Sequence, residues 1–60
     1  MLLSEEIFQI LREEGTVNLE DLAVKTEQSK ENISHFIKYV GSLVDDNLIK
    51  YDGKTGEYSL

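Results

Sequence analysis

The stretch that decides the fold spans residues 17–40 and reads VNLEDLAVKTEQSKENISHFIKYV. It contains two residues that favour helix starts, Asn18 and Ser29, and carboxylates follow each of them in the first turn. Apolar residues then recur at spacings of three and four, first at Leu19, Leu22 and Ala23. They recur again over a longer run, at Ile33, Phe36, Ile37, Val40, Leu43 and Val44. The pattern predicts a helix that ends near residue 25 or 26 and a third helix that spans about 30–46.

A first helix is predicted upstream, from about Glu5 to Glu14. Ser4 supplies a hydroxyl cap ahead of two glutamates, and Gly15 supplies the left-handed residue that commonly ends a helix. Its apolar stripe consists of Leu3, Ile7, Phe8, Ile10 and Leu11. One glycine, Gly41, lies inside the third helix, where it costs about 1 kcal/mol relative to alanine. It marks either a close approach of another segment or a kink, and the sequence leaves both open.

The remaining residues predict a β-hairpin. Asn47 suits the left-handed end of the third helix, and LIKYD (48–52) and EYSL (57–60) have the composition of strands. The intervening DGKTG (52–56) supplies glycines where a tight turn needs positive φ. Val17, a β-branched residue between two polar ones, is expected to form a short bridge strand with this hairpin. The predicted fold class is a small α+β domain over residues 1–60.

Composition excludes several classes of protein. The chain has 60 residues, no cysteine and one histidine, so neither a disulfide nor a thiolate zinc site is expected. No run of 18 apolar residues predicts a membrane span, and MLLSEE lacks the features of a signal peptide. We therefore expect one domain without membrane insertion or cofactor, in the cytoplasm or, in a eukaryote, the nucleus. The GKT of residues 53–55 lacks the upstream glycine spacing and following helix of a phosphate-binding loop, so no enzymatic activity or small-molecule substrate is predicted.

The order helix, short strand, helix, helix, strand, hairpin, strand resembles the winged helix-turn-helix superfamily. The resemblance is carried by the Leu22-Ala23 pair, by Ser29 as the cap of a recognition helix, and by Asn47-Leu48-Ile49 ahead of a hairpin. It implies three helices with a C-terminal two-stranded wing. The chain departs from the family pattern at Gln28, in the length of the third helix and in the absence of recognition-helix arginines. The resemblance specifies fold better than function, since winged helices serve both as DNA readers and as protein-docking modules.

If the DNA mode holds, the third helix and the wing at 52–56 contact duplex DNA in transcription or replication. The candidate nucleic-acid-binding residues are Lys30, Ser34, His35, Lys38, Lys50 and Lys54. The lysines suit phosphates, while the hydroxyl and the imidazole suit bases or backbone. Glu31 points outward on the same helix and repels phosphate. His35 has no nucleophile or second ligand at motif spacing, so neither a catalytic nor a metal role is predicted for it.

Charge supports a rival interpretation. The net charge is −6, and residues 1–29 carry seven acidic side chains against two basic ones. A protein-interaction module could dock a basic partner through its acidic first and second helices, at Glu5, Glu6, Glu13, Glu14, Glu20 and Asp21. The lysines of residues 30–60 favour the nucleic-acid interpretation. Three tyrosines, Tyr39, Tyr51 and Tyr58, could stack on bases, but their scatter favours packing of the hairpin against the third helix.

Overall fold

The computed structural model describes residues 2–60 and has the predicted α+β class. Within this range the helices are α1 (Leu3–Glu14), α2 (Leu19–Thr26) and α3 (Lys30–His35), and α3 continues into a π-helical turn (Phe36–Val40). The strands are β1 (Thr16–Asn18), β2 (Lys50–Asp52) and β3 (Glu57–Ser59). They form an antiparallel sheet in the order β1-β3-β2. No helix of residues 2–60 combines the length and apolar character needed to cross a membrane.

The start of α1 differs from the prediction, whereas its end agrees. Leu2 occupies the N-cap without a side-chain hydrogen bond, so the assignment of Ser4 as the cap is wrong. Ser4 lies in the first turn, because the apolar Leu3 is already helical and packs against the core. At the other end Gly15 adopts φ 86° and donates its N–H to the carbonyl of Leu11 at 2.9 Å.

Both caps predicted in the central stretch are confirmed. Asn18 Oδ1 accepts the N–H of Asp21 at 2.8 Å, and Ser29 Oγ accepts the N–H of Asn32 at 3.1 Å. Each bond satisfies a backbone donor that the first turn of a helix leaves unpaired. The helix α2 ends at Thr26, as expected, and these two caps fix where α2 and α3 begin.

The third helix is shorter than predicted, and its assignment as helical to about residue 46 is wrong. After His35 the hydrogen-bond spacing widens, and the N–H of Gly41 donates to the carbonyl of Phe36, five residues back, at 2.8 Å. The wider turn changes the phase of the residues that follow it, relative to an α-helix of 3.6 residues per turn. Val40, predicted to face the core, is therefore 65% exposed, whereas Leu43 is buried.

Close packing explains the glycine at position 41. A Cβ on Gly41 would lie 3.1 Å from Phe36 Cε1 and 3.2 Å from Leu43 Cγ, which is tighter than ordinary contact. The contacts come from residues within five positions of Gly41 in the chain and not from another helix, so the glycine does not mark the close helix approach that the sequence left open. Asn47 has the predicted left-handed conformation, with φ 60°, but it ends a turn over residues 43–47 rather than a helix.

The hairpin is present with shorter strands than predicted. Val17 and Tyr51 both pair with Tyr58, so the bridge expected at Val17 is a three-residue strand beside the hairpin. Gly56 supplies a positive φ of 74° in the turn, and its N–H donates to the carbonyl of Asp52 at 2.7 Å. Leu60, the last residue of the predicted EYSL strand, lies beyond the observed strand and is half exposed.

One core connects these elements. Its residues come from every helix, from strands β1 and β3 and from the segment before β2; they are Ile7, Leu11, Val17, Leu22, Ala23, Ile33, Ile37, Leu43, Ile49 and Tyr58. Full burial of each Leu or Ile side chain contributes about 1.5–3 kcal/mol relative to exposure. The core therefore holds the outer face of the third helix in a fixed position beside the hairpin.

Candidate nucleic-acid interface

Four of the predicted nucleic-acid-binding residues lie together on the third helix. Lys30, Ser34, His35 and Lys38 line one open surface depression, which we call the helix concavity. Positions 30, 34 and 38 follow at intervals of four residues and so lie along one face of a helix. Ser34 is half-buried at its base, and the other three side chains are exposed. The cap at Ser29 and the buried Ile33 and Ile37 position this face.

The two hairpin lysines are not part of this concavity. Lys50 lies next to Tyr51 in β2, and successive side chains of a strand point to opposite faces of the sheet. Tyr51 pairs directly with the buried Tyr58 and so shares its face of the sheet, which leaves Lys50 on the opposite face. Lys54 is exposed at the turn, where its N–H donates to Asp52 Oδ1 at 2.9 Å. The structure therefore brings four of the six candidate residues together and leaves two apart.

The charge of the concavity is weakly rather than strongly positive. Glu31 lines it beside Lys30, as the sequence pattern anticipated. Across residues 2–60, the one ion pair within 4.0 Å joins Lys25 of α2 to Glu14 of α1, at 3.8 Å. Lys30 and Lys38 accordingly make no ion pair with a described carboxylate and can meet an anion, although Glu31 weakens the local field.

A second depression adjoins the helix concavity, and sequence reasoning did not anticipate it. This tyrosine groove, with a volume of about 600 Å³, lies between the π-helical turn and the hairpin. Ser34, Lys38 and Tyr39 line both depressions, and Asp45, Tyr51 and Tyr58 complete the polar and aromatic lining of the groove. The expectation that the tyrosines pack the hairpin against the helix holds for Tyr58 alone. Tyr39 is 72% exposed and Tyr51 is 50% exposed.

The aromatic rings in and beside the groove form two pairs. The rings of His35 and Tyr39 have centroids 5.1 Å apart, and those of Tyr51 and Tyr58 lie 4.9 Å apart across the strand pair. Burial raises the pKa of the Tyr58 hydroxyl above its ordinary value of 10.0, and the neighbouring Tyr51 adds to the shift. The only sequence signal for the first pair was the four-residue spacing of His35 and Tyr39.

The acidic residues lie on other elements. Glu5, Glu13 and Glu14 are exposed on α1, and Glu20 and Asp21 are exposed in the first turn of α2. Glu6 is half-buried and lines a shallow depression together with Glu13, Ile10 and Lys25. The candidate protein-binding residues are thus gathered on α1 and α2, separate from the lysines of the third helix.

Neither a metal site nor a known relative indicates a function for this surface. Over residues 2–60 no three His, Asp or Glu side chains lie close enough together to hold a metal ion. Comparisons of the chain with protein-family models, with curated proteins and with solved structures found no match. The class of protein must therefore be argued from the fold and from the side chains of the third helix.

Proposed function

We propose that the chain is a non-enzymatic winged helix-turn-helix module that binds nucleic acid through its third helix, in transcription or replication. The observation that carries the proposal is the helix concavity, where Lys30, Ser34, His35 and Lys38 share one surface. Supporting it, capped helices α2 and α3 follow one another directly, and the strand beside β1 belongs to the hairpin. In this proposal α3 and the π-helical turn form the recognition helix, and the hairpin forms the wing.

The surface predicts weak and salt-sensitive binding. Lysines that meet phosphates release counterions, so the logarithm of the binding constant falls by about 0.9 per contact with the logarithm of salt concentration. Two lysines and one glutamate on the concavity support only a small slope. Without arginine on the third helix, the bidentate contact that commonly reads guanine is missing. We therefore expect backbone positioning to contribute more than base recognition.

The test compares matched lysine substitutions. Affinity for a labelled DNA duplex is measured by anisotropy over a range of salt concentrations for Lys38→Gln, Lys30→Gln and Lys25→Gln. The first two variants should each lower the salt slope by about 1, because each removes a phosphate contact. Lys25→Gln changes the net charge equally, but Lys25 lies on α2 beside Glu14 and should leave the slope unchanged. Equal losses in all three variants would indicate a response to net charge alone and would overturn the proposed surface.

The depression between α1 and α2 favours a second candidate function. Glu6 and Glu13 flank the partly buried Ile10 there, a combination of acid and apolar surface that suits a basic protein partner. In this alternative the module docks within a larger assembly. Reversal of charge at Glu6 and Glu13 should then abolish partner capture, while Lys30→Gln should not affect it. Capture that survives the reversal would exclude this surface.

A further inference from the structure

The tyrosine groove has features that a solvated surface does not need. Tyr39 comes from the π-helical turn and Tyr51 from β2, yet both line the same groove while remaining at least half exposed. Isolated surface aromatic residues are ordinary. Here two exposed tyrosines come from separate elements around one depression, and each has a second aromatic ring with its centroid about 5 Å away. Together they provide stacking surface on two sides of a ligand.

The π-helical turn contributes directly to this arrangement. It spans Phe36–Val40 and therefore contains Lys38 and Tyr39, the two residues that bring a cation and an aromatic ring to the groove. Such turns are rare and are frequently found at functional sites. The backbone irregularity and the exposed aromatic rings thus coincide at one place in the molecule.

Charge and hydrogen-bonding groups indicate the occupant. The groove adjoins the helix concavity through Ser34 and Lys38, so a ligand with its ring in the groove can place an anionic group beside Lys38 and Lys30. At the rim of the groove, Asp45 is an acceptor that suits an amino group on the ring. A planar ring with amino groups, attached to a phosphate chain, is a nucleotide of a nucleic-acid strand.

We propose that the tyrosine groove takes an unpaired nucleobase, which makes single-stranded nucleic acid the preferred ligand. The inference rests on the proposed nucleic-acid function and specifies its substrate class. Paired bases cover both of their faces by stacking inside a duplex, so only an unstacked base can lie against Tyr39 or Tyr51. The strand backbone follows Lys38 and Lys30, and Glu31 limits the affinity by repelling phosphate. A proline-rich peptide also suits aromatic grooves, but it offers no phosphate for these lysines.

The experiment measures binding by anisotropy with two labelled probes, an oligodeoxycytidine of about 12 nucleotides and a duplex of the same length, at about 50 mM salt. The unmodified protein should bind the single strand at least about tenfold more tightly. Tyr51 lines the groove and not the helix concavity. Tyr51→Leu, which keeps an apolar side chain, should therefore lose about tenfold in single-strand affinity and change duplex affinity by less than about twofold. Tyr51→Phe should retain single-strand binding, because its ring still stacks. Tyr39→Leu is a second variant with the same expected loss of single-strand affinity, and near-identical circular dichroism spectra confirm that each variant folds.

The outcomes separate the inference from the function on which it rests. Equal affinity for both probes, with no effect of Tyr51→Leu, would overturn the single-strand inference and leave the nucleic-acid function standing. No binding of either probe would overturn both. Shifts of the Tyr39 and Tyr51 amides with a proline-rich peptide, and none with the oligonucleotide, would assign the groove to a peptide instead. An oligothymidine probe tests Asp45: thymine lacks an amino group and should bind more weakly than cytosine, and this difference should vanish in Asp45→Ala, which removes the acceptor.

Discussion

The two halves of the molecule differ in backbone regularity and in the charge that they display. Residues 3–26 form two α-helices joined by a short strand, and their exposed surface is mainly acidic. Residues 30–60 leave α-helical geometry at Phe36, adopt positive φ at Ser42 and Asn47, and carry the lysines and tyrosines of the candidate site. Both halves contribute residues to the core, whereas the exposed residues of the proposed contact surface lie in the irregular half.

The largest expected effect tests where the third helix faces the core. Ile37 is 1% exposed, and Ile37→Ala should lower the free energy of unfolding by about 2–5 kcal/mol. Val40, although it continues the same periodic run, lies beyond the change of phase, and Val40→Ala should cost less than about 0.5 kcal/mol. Urea denaturation at low temperature measures both. A cost above about 1.5 kcal/mol for Val40→Ala would mean that the helix continues as an α-helix and that the π-helical turn is wrong.

A smaller effect tests the close packing at the end of the same turn. Gly41→Ala places a methyl group against Phe36 and Leu43 and should destabilise the protein by about 1–2 kcal/mol. Gly53 is a matched control, because a Cβ there meets no atom within 4 Å and its φ is not positive. If residue 41 were inside an ordinary helix, the same substitution would stabilise it by about 1 kcal/mol. The sign of the change therefore distinguishes the two backbones.

The smallest effect concerns the hairpin and alkaline pH. The folded state raises the pKa of Tyr58, so the unfolded chain loses this proton first as pH rises. Stability from this group is fully present below pH 10.0, the ordinary tyrosine value, and is lost as pH rises from there through the folded pKa. Unfolding measured on both sides of that pH should show the loss in the unmodified protein, and Tyr58→Phe should reduce it. An equal loss in Tyr58→Phe would show that other groups cause the alkaline transition.

The sequence predicted those helix ends that depend on local hydrogen bonds, and missed the π-helical turn, which depends on how side chains pack. The caps at Asn18 and Ser29 and the end at Gly15 were predictable, because their hydrogen bonds join residues three or four positions apart. The apolar spacing through Val40 is equally compatible with an α-helix, so it could not reveal the π-helical turn. The π-helical turn is distinguished by the hydrogen bond from Gly41 to Phe36 and by the packing of Gly41 against Phe36 and Leu43.

The candidate site follows the same division. The grouping of Lys30, Ser34 and Lys38 was predictable from helical spacing alone. The separation of Lys50 from them was not, because the strand register determines which face of the hairpin it occupies. The tyrosine groove was missed for a related reason. Tyr39 and Tyr51 come to line one groove only after the hairpin folds back beside the third helix, and no local pattern encodes that arrangement.

The proposed assignment of the contact surface to residues 30–60 is tested most directly by amide chemical-shift mapping during titration with a single-stranded oligonucleotide at low salt. The predicted result is a continuous patch of shifted amides at Lys30, Ser34, His35, Lys38, Tyr39 and Tyr51, with the α1 amides from Glu5 to Glu14 unmoved. Shifts centred on α1 and α2, or no shifts at saturating oligonucleotide, would contradict the assignment of the contact surface to the third helix and the groove beside it.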